Sequence, residues 1–180
     1  MEIILAPYKD PSEGLDWHEQ TPIIIQRIDE LLSGYEEALE YTVRDDNLGV
    51  GADWPVIIVT VGSIAGAAFF LIPEAHKRVR EALEEWKLIG ENIKKLIGKL
   101  KITERVLVNP VELLMIEAVE QLNKTTNLED VVYLGFEQLS QPGSHEQISG
   151  AYAFRFELPG EKWEVVIAGD STLITKRRIK

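Results

Sequence analysis

The chain has no cysteine among its 180 residues. That excludes disulfide frameworks, thiolate metal sites and cysteine nucleophiles, and it suits a cytoplasmic protein. Histidine is scarce as well. His18, His76 and His145 lie in separate segments, and none stands in an HExxH or other metal-ligand spacing. Lys and Arg number 19 against 30 Asp and Glu, for a formal net charge of −11. Such a chain lacks the broad positive face that phosphate contacts need, so nucleic acid is not expected as a partner. No basic stretch with an apolar run long enough for a secretory signal opens the sequence.

The charges that are present are segregated. Residues 1–55 carry net −10, residues 56–108 net +3, residues 109–170 net −8 and the last ten residues net +4. Acidic and basic segments of this kind can pair between copies of one chain or with a basic partner.

Charge-free runs are short apart from one, "WPVIIVTVGSIAGAAFFLIP" at residues 54–73. Three readings compete for it. As a membrane span over residues 56–72, Gly62 and Gly66 give the small-residue spacing that lets helices approach closely. Trp54 and the bases Lys77, Arg78 and Arg80 then mark the two interfaces, which predicts a membrane-anchored oligomer. The run is at the lower limit for a bilayer and is broken by Thr60, Gly62, Ser63 and Gly66. As a nucleotide or phosphate binder, the turn at residues 62–66 would follow a strand and open a helix. It has neither the G-x-G-x-x-G pattern nor a P-loop lysine. The third reading, a buried strand leading into a buried helix packed closely through its small residues, is the one adopted.

No catalytic constellation is complete. The loop "DDNLGVGAD" sets Asp45, Asn47 and Asp53 around glycines, but the position that should hold the last acid of a calcium loop is Val56. Ser144, His145 and Glu146 are adjacent, whereas triads assemble from distant segments. Asp16, His18 and Glu19 are accounted for by an acidic loop that caps a helix. No metal and no cofactor is expected.

Periodicity predicts the elements. "EIILAPY", "ALEYTVR", "VIIVTV" and "RVLV" read as strands, the second half-buried by its alternation. A helix is expected from Thr21 as cap and Pro22 to a stop at Ser33-Gly34. The long amphipathic helix over 74–100 carries Val79, Trp86, Ile93 and Leu100 seven apart, with Ala82, Ile89 and Leu96 on the second seam. This stripe is the candidate interaction face, packed on the protein's own sheet or shared with another subunit. Asn109-Pro110 with Glu112 opens a further helix. In "NLEDVVYLGFEQL", Asn127 with Asp130 signals a helix start and Val131-Val132-Tyr133 a strand, and the segment is assigned to helix. A hairpin about Pro159-Gly160 starts a C-terminal meander.

The fold class that results is α+β. Residues 1–108 have the β-α-β-β-α-β order of a ferredoxin-like split unit, and residues 109–180 the winged-helix-like order of two helices and an antiparallel β-meander. The function expected is non-enzymatic: an interaction, regulatory or assembly subunit that associates with itself or with a protein partner.

Overall fold

The computed structural model describes residues 1–9, 14–33, 39–48, 55–64, 91, 93–100, 106–128, 131–142 and 148–180. The architecture is α+β, and its organising element is the strand β3 (Pro55–Ile64). Five of the six residues from Val56 to Val61 are β-branched aliphatics, which suit a pleated surface, and Pro55 stands at the strand's first residue, where its missing N–H does least harm. Val56, Ile57, Ile58, Val59 and Val61 are all buried. Because side chains alternate along a strand, this one supplies two cores. Ile57, Val59 and Val61 join one cluster, while Val56 and Ile58 join another.

Around β3 the first sheet is built in the order β2-β3-β1-β4, with every neighbouring pair antiparallel. Its other strands are β1 (Glu2–Leu5), β2 (Leu39–Asn47) and β4 (Val106–Val108). The Met1 ammonium donates to the Val61 carbonyl at 3.1 Å and the Val61 amide to the Met1 carbonyl at 2.9 Å, which closes the β1–β3 ladder at its end. β2 runs on through Asp45, Asp46 and Asn47, a stretch expected to be loop. The backbone of β3 offers these residues partners, Asp45 opposite Ile57 and Asn47 opposite Pro55, and their side chains stay exposed on the sheet edge.

One face of this sheet is covered by α1 (Trp17–Ser33) and by α2, the helical residues 93–100. Ile24, Ile28 and Leu32 of α1 meet Ile93, Leu96, Ile97 and Leu100 of α2 over Ile3, Leu5, Ile57 and Val59. The start of α1 corrects the expected cap. Asp16 and Glu19 form a reciprocal box, the Glu19 amide donating to Asp16 Oδ1 at 2.9 Å and the Asp16 amide to Glu19 Oε2 at 3.0 Å. Thr21 therefore lies inside the helix, bonding the Trp17 carbonyl and the Tyr8 hydroxyl, each at 2.8 Å. Pro22 follows it there.

The other face meets α3 (Val111–Asn123) and the second sheet. Seven of the thirteen α3 residues are buried. Lys94 of α2 pairs with Glu117 of α3 at 2.9 Å, which raises the Lys94 pKa, chiefly through that hydrogen bond. Pro110, not Asn109, takes the cap position of α3, and no side chain caps it. Asn109 has tertiary partners instead: its amide donates to the Gly169 carbonyl at 2.7 Å and its Nδ2 to Ser171 Oγ at 3.0 Å.

The second sheet is a meander in sequence order, β5 (Val132–Ser140), β6 (Ala151–Leu158), β7 (Glu161–Ala168) and β8 (Leu173–Ile179). β5 replaces the helix expected for "NLEDVVYLGFEQL", and with it the winged-helix-like order falls away. Cross-strand aromatic pairing decides the matter. Tyr133 lies opposite Phe156 with ring centroids 5.7 Å apart, and Phe136 opposite Phe154 at 5.8 Å. Such pairs outweigh a local helix-start signal of Asn127 and Asp130. The β6–β7 hairpin turns through Pro159 and Gly160 as expected, with Gly160 at the positive φ of 80° that the second residue of a Pro-Gly turn adopts.

β4, the segment before β6 and the β7–β8 turn are tied together at Gly169, whose amide donates to the Gly150 carbonyl at 3.1 Å. A Cβ on Gly169 would collide with the Ser149 carbonyl and stand 2.8 Å from Val108 Cγ1. Gly169→Ala is expected to lower the unfolding free energy by about 2 kcal/mol or more, read by urea denaturation. A change within a few tenths of a kcal/mol would show that the junction is loosely packed. Asp16→Ala should cost about 1 kcal/mol on the same measurement through loss of the α1 cap.

Candidate functional surface

The residues singled out by the sequence do not converge on one site. Ile93, Leu96 and Leu100 are fully buried against α1 and the first sheet. Val79, Ala82, Trp86 and Ile89 lie outside the described residues, as do Gly66, His76 and His145. Gly62 is not at a turn. β3 continues through Ile64, and Gly62 is the extra residue of a bulge, since Ser63 pairs with Glu40 and Val61 with Tyr41. The strand-turn-helix geometry needed for a phosphate at residues 62–66 is thus not formed at Gly62–Ile64. Residues 56–64 of the suggested membrane span are likewise strand, and among the described residues no helix is long and apolar enough to cross a membrane. His18 is exposed on α1. Among the described residues no group of three or more acids and histidines is placed to hold a metal ion.

What the fold does assemble is a row of charges across the second sheet. Register sets Arg155 opposite Glu164, and Glu164 opposite Arg177. Gly135 faces Arg155 from β5, and Glu137 reaches it from two residues further along. Arg155 Nη2 lies 2.6 Å from Glu137 Oε2, and Arg155 Nε 3.3 Å from Glu164 Oε2. Arg177 donates twice to Glu164 Oε1, at 3.0 Å from Nε and 2.6 Å from Nη2. The row reads acid, base, acid, base from β5 to β8. Glu164 is its covered member, with a side chain only 7% exposed against 54% for Glu137 and 63% for Arg177.

The electrostatics follow from that geometry. Burial pushes the Glu164 carboxyl up, but hydrogen bonds from Arg177 and then Arg155, with their charges, outweigh it and hold the group below its usual range. Arg155 is raised, first by its hydrogen bond to Glu137 and then by that to Glu164. On the inward side of β5, burial pushes the Tyr133 phenol up to about 12. The remaining bases of β8 are also engaged. Lys176 Nζ donates to the Gln121 carbonyl at 2.9 Å and to Thr125 Oγ1 at 3.1 Å, neutralising the negative end of α3. Arg178 lies over the Trp163 ring, 5.3 Å from its centroid, and its Nε is 2.9 Å from Glu161 Oε2. These pairs hold strands in register; none presents a nucleophile or a poised proton donor.

The second feature is apolar. Leu134, Phe136 and Leu139 of β5 are 46%, 51% and 52% exposed, and Leu173 and Ile174 of β8 are 39% and 48%. Three of the five are the extra residues of β-bulges. The register passes over Leu134 between Tyr133 and Gly135, over Leu139 between Gln138 and Ser140, and over Ile174 between Leu173 and Thr175. Sequence reasoning missed this surface because it took β5 for a helix, on which the same side chains would have formed a core stripe. The β-branched pair Val131-Val132 before Tyr133 was the available signal. Away from the sheet, a cavity of about 350 Å³ beside α1 is lined by Lys9, Leu15, Gln20, Ile23 and Arg27, with Gln20 committed to the Lys9 and Leu15 carbonyls.

No family model, curated protein or solved structure matches the chain.

Glu164 makes a specific acid response. A carboxyl with a lowered folded-state pKa stabilises the fold above the usual carboxylate range, and that contribution is lost as pH falls through the folded value. Stability should therefore fall more between pH 6 and pH 3 in the wild type than in Glu164→Gln, compared by urea denaturation at both pH values. Equal losses would mean that the carboxylate is not held by Arg155 and Arg177.

Proposed function

We propose that this chain works by protein contact, as an assembly or regulatory subunit that associates with copies of itself and carries no reaction of its own. One observation carries the reading. Of the eight large hydrophobic side chains exposed among the described residues, five stand on β5 and β8, the two edges of a single sheet. Exposed apolar side chains at a sheet edge are a liability unless something covers them. The segregated charge of the chain gives such contacts direction, and its lack of cysteine suits work in the cytoplasm.

The seam of the long helix contributes to this reading differently from what its periodicity suggests. Its C-terminal part, Ile93, Leu96 and Leu100, is used up in the protein's own core. The contact surface is accordingly assigned to the second sheet.

Self-association should be visible as a rise in weight-average mass with protein concentration in sedimentation equilibrium. Leu139→Lys, at a half-exposed position, is expected to weaken it about tenfold or more, or about 1.4 kcal/mol, while leaving far-UV circular dichroism unchanged. A wild-type protein that stays monomeric at all concentrations would refute the reading.

A further inference from the structure

We infer that copies of this chain join head to tail, β8 of one copy pairing with β5 of the next, so that the second sheet is continued from subunit to subunit. The inference rests on the contact reading above and adds the geometry of the contact. Three observations carry it: strand direction, the sign of the charges at each edge, and the placing of the apolar side chains.

Among the described residues the second sheet has four strands, each antiparallel to its neighbour. With an even number, β5 and β8 run in opposite directions. A second copy set beside the first in the same orientation therefore offers its β5 antiparallel to β8, and the meander pattern continues across the junction without a break.

The charge row has two unlike ends. It starts at Glu137 on β5 and finishes at Arg177 on β8. Glu137 is the single charged residue of β5, whereas β8 carries Lys176, Arg177 and Arg178. Pairing β5 with β5 brings two copies of Glu137 to one seam, and pairing β8 with β8 brings two copies of Arg177 to one seam, with Lys176 and Arg178 engaged on the opposite face. Like charges across a strand pair are destabilising. Only β8 against β5 sets base beside acid, and it repeats the alternation that Glu137, Arg155, Glu164 and Arg177 already follow within one copy. The charges at the junction are exposed, so the contact should weaken as salt is raised.

Apolar side chains flank the junction from both partners, Leu173 and Ile174 from β8 with Leu134, Phe136 and Leu139 from β5. The bulges confine regular pairing to the stretches between them, residues 135–138 of β5 and 175–179 of β8. They also leave Leu134, Leu139 and Ile174 outside the ladder of their own sheet. A contact between two different edges is heterologous: each copy keeps one edge of each kind free for a further neighbour, and growth ends only by closure into a ring.

Two single variants test this with the full chain, Leu139→Lys on β5 and Ile174→Lys on β8, so that the two altered edges carry like charge and do not pair with each other in a mixture. Both positions are about half exposed, so the fold should stand, as far-UV circular dichroism would verify. Native mass spectrometry and sedimentation velocity at low salt are expected to show species larger than a dimer for the wild type. Each variant alone should be monomeric. Their equimolar mixture should give a 1:1 dimer and nothing larger, because one intact β8 then meets one intact β5 and both remaining edges are blocked. A closed wild-type dimer, either variant alone still associating, or a mixture that stays monomeric while the wild type assembles would overturn the head-to-tail geometry and leave the contact reading standing. A wild type that is monomeric throughout would overturn both.

Discussion

Burial of β3 on both faces is the constraint from which the rest of the structure follows. An uncharged β-branched strand satisfied on one side only would leave a row of isoleucines and valines in water. Here Ile57 and Val59 are covered by α1 and α2, and Val56 and Ile58 by α3 and the aromatic side of the second sheet. That demand fixes the order of layers. It also explains why α3, which lies between the two sheets, is buried over more than half its residues and why Leu113 falls in one cluster while Leu114 falls in the other. A short chain gains by this arrangement, since one strand serves as a wall for two cores.

The second sheet is left in a different position. Its inner face is fully used by Phe154, Phe156, Val165 and Ile167, and its register is locked by a central acid between two guanidinium groups. A carboxylate so covered is costly unless both partners remain, which makes Glu164 a device for fixing alignment more than a source of net stability. The sheet's edges, in contrast, keep apolar side chains in solvent at the bulges. Natural sheets commonly place charges and bulges at edges to discourage pairing. These bulges carry leucine and isoleucine instead, and the two edges differ in sign.

How much of this could be read from the sequence depended on how local each signal is. The strand "VIIVTV", the helix opened near Pro110 and the Pro159-Gly160 turn are written in adjacent residues and emerged as expected. Caps were misassigned where two candidates lay close together: Asp16 with Glu19 prevails over Thr21 because its partner lies at the right spacing, and Asn109 is drawn off by Ser171, sixty-two residues away. The assignment of β5 failed because its evidence is non-local. Phe136 prefers a strand only once Phe154 stands opposite. The charge row was illegible for the same reason, being four residues spread from 137 to 177 that meet only when three hairpin registers are known. Its trace in the sequence is limited to the basic C-terminal segment, which reads as a charge block and becomes a sheet edge only once the strand registers are known.

Hydrogen exchange read by mass spectrometry, at low and high protein concentration, tests the account most directly because it reports all four sheet edges at once. If the second sheet is the contact surface, amides of β5 and β8 gain protection with concentration while those of β2 and β4 do not change. Protection that is independent of concentration everywhere, or that rises at β2 and not at β5 and β8, would contradict it.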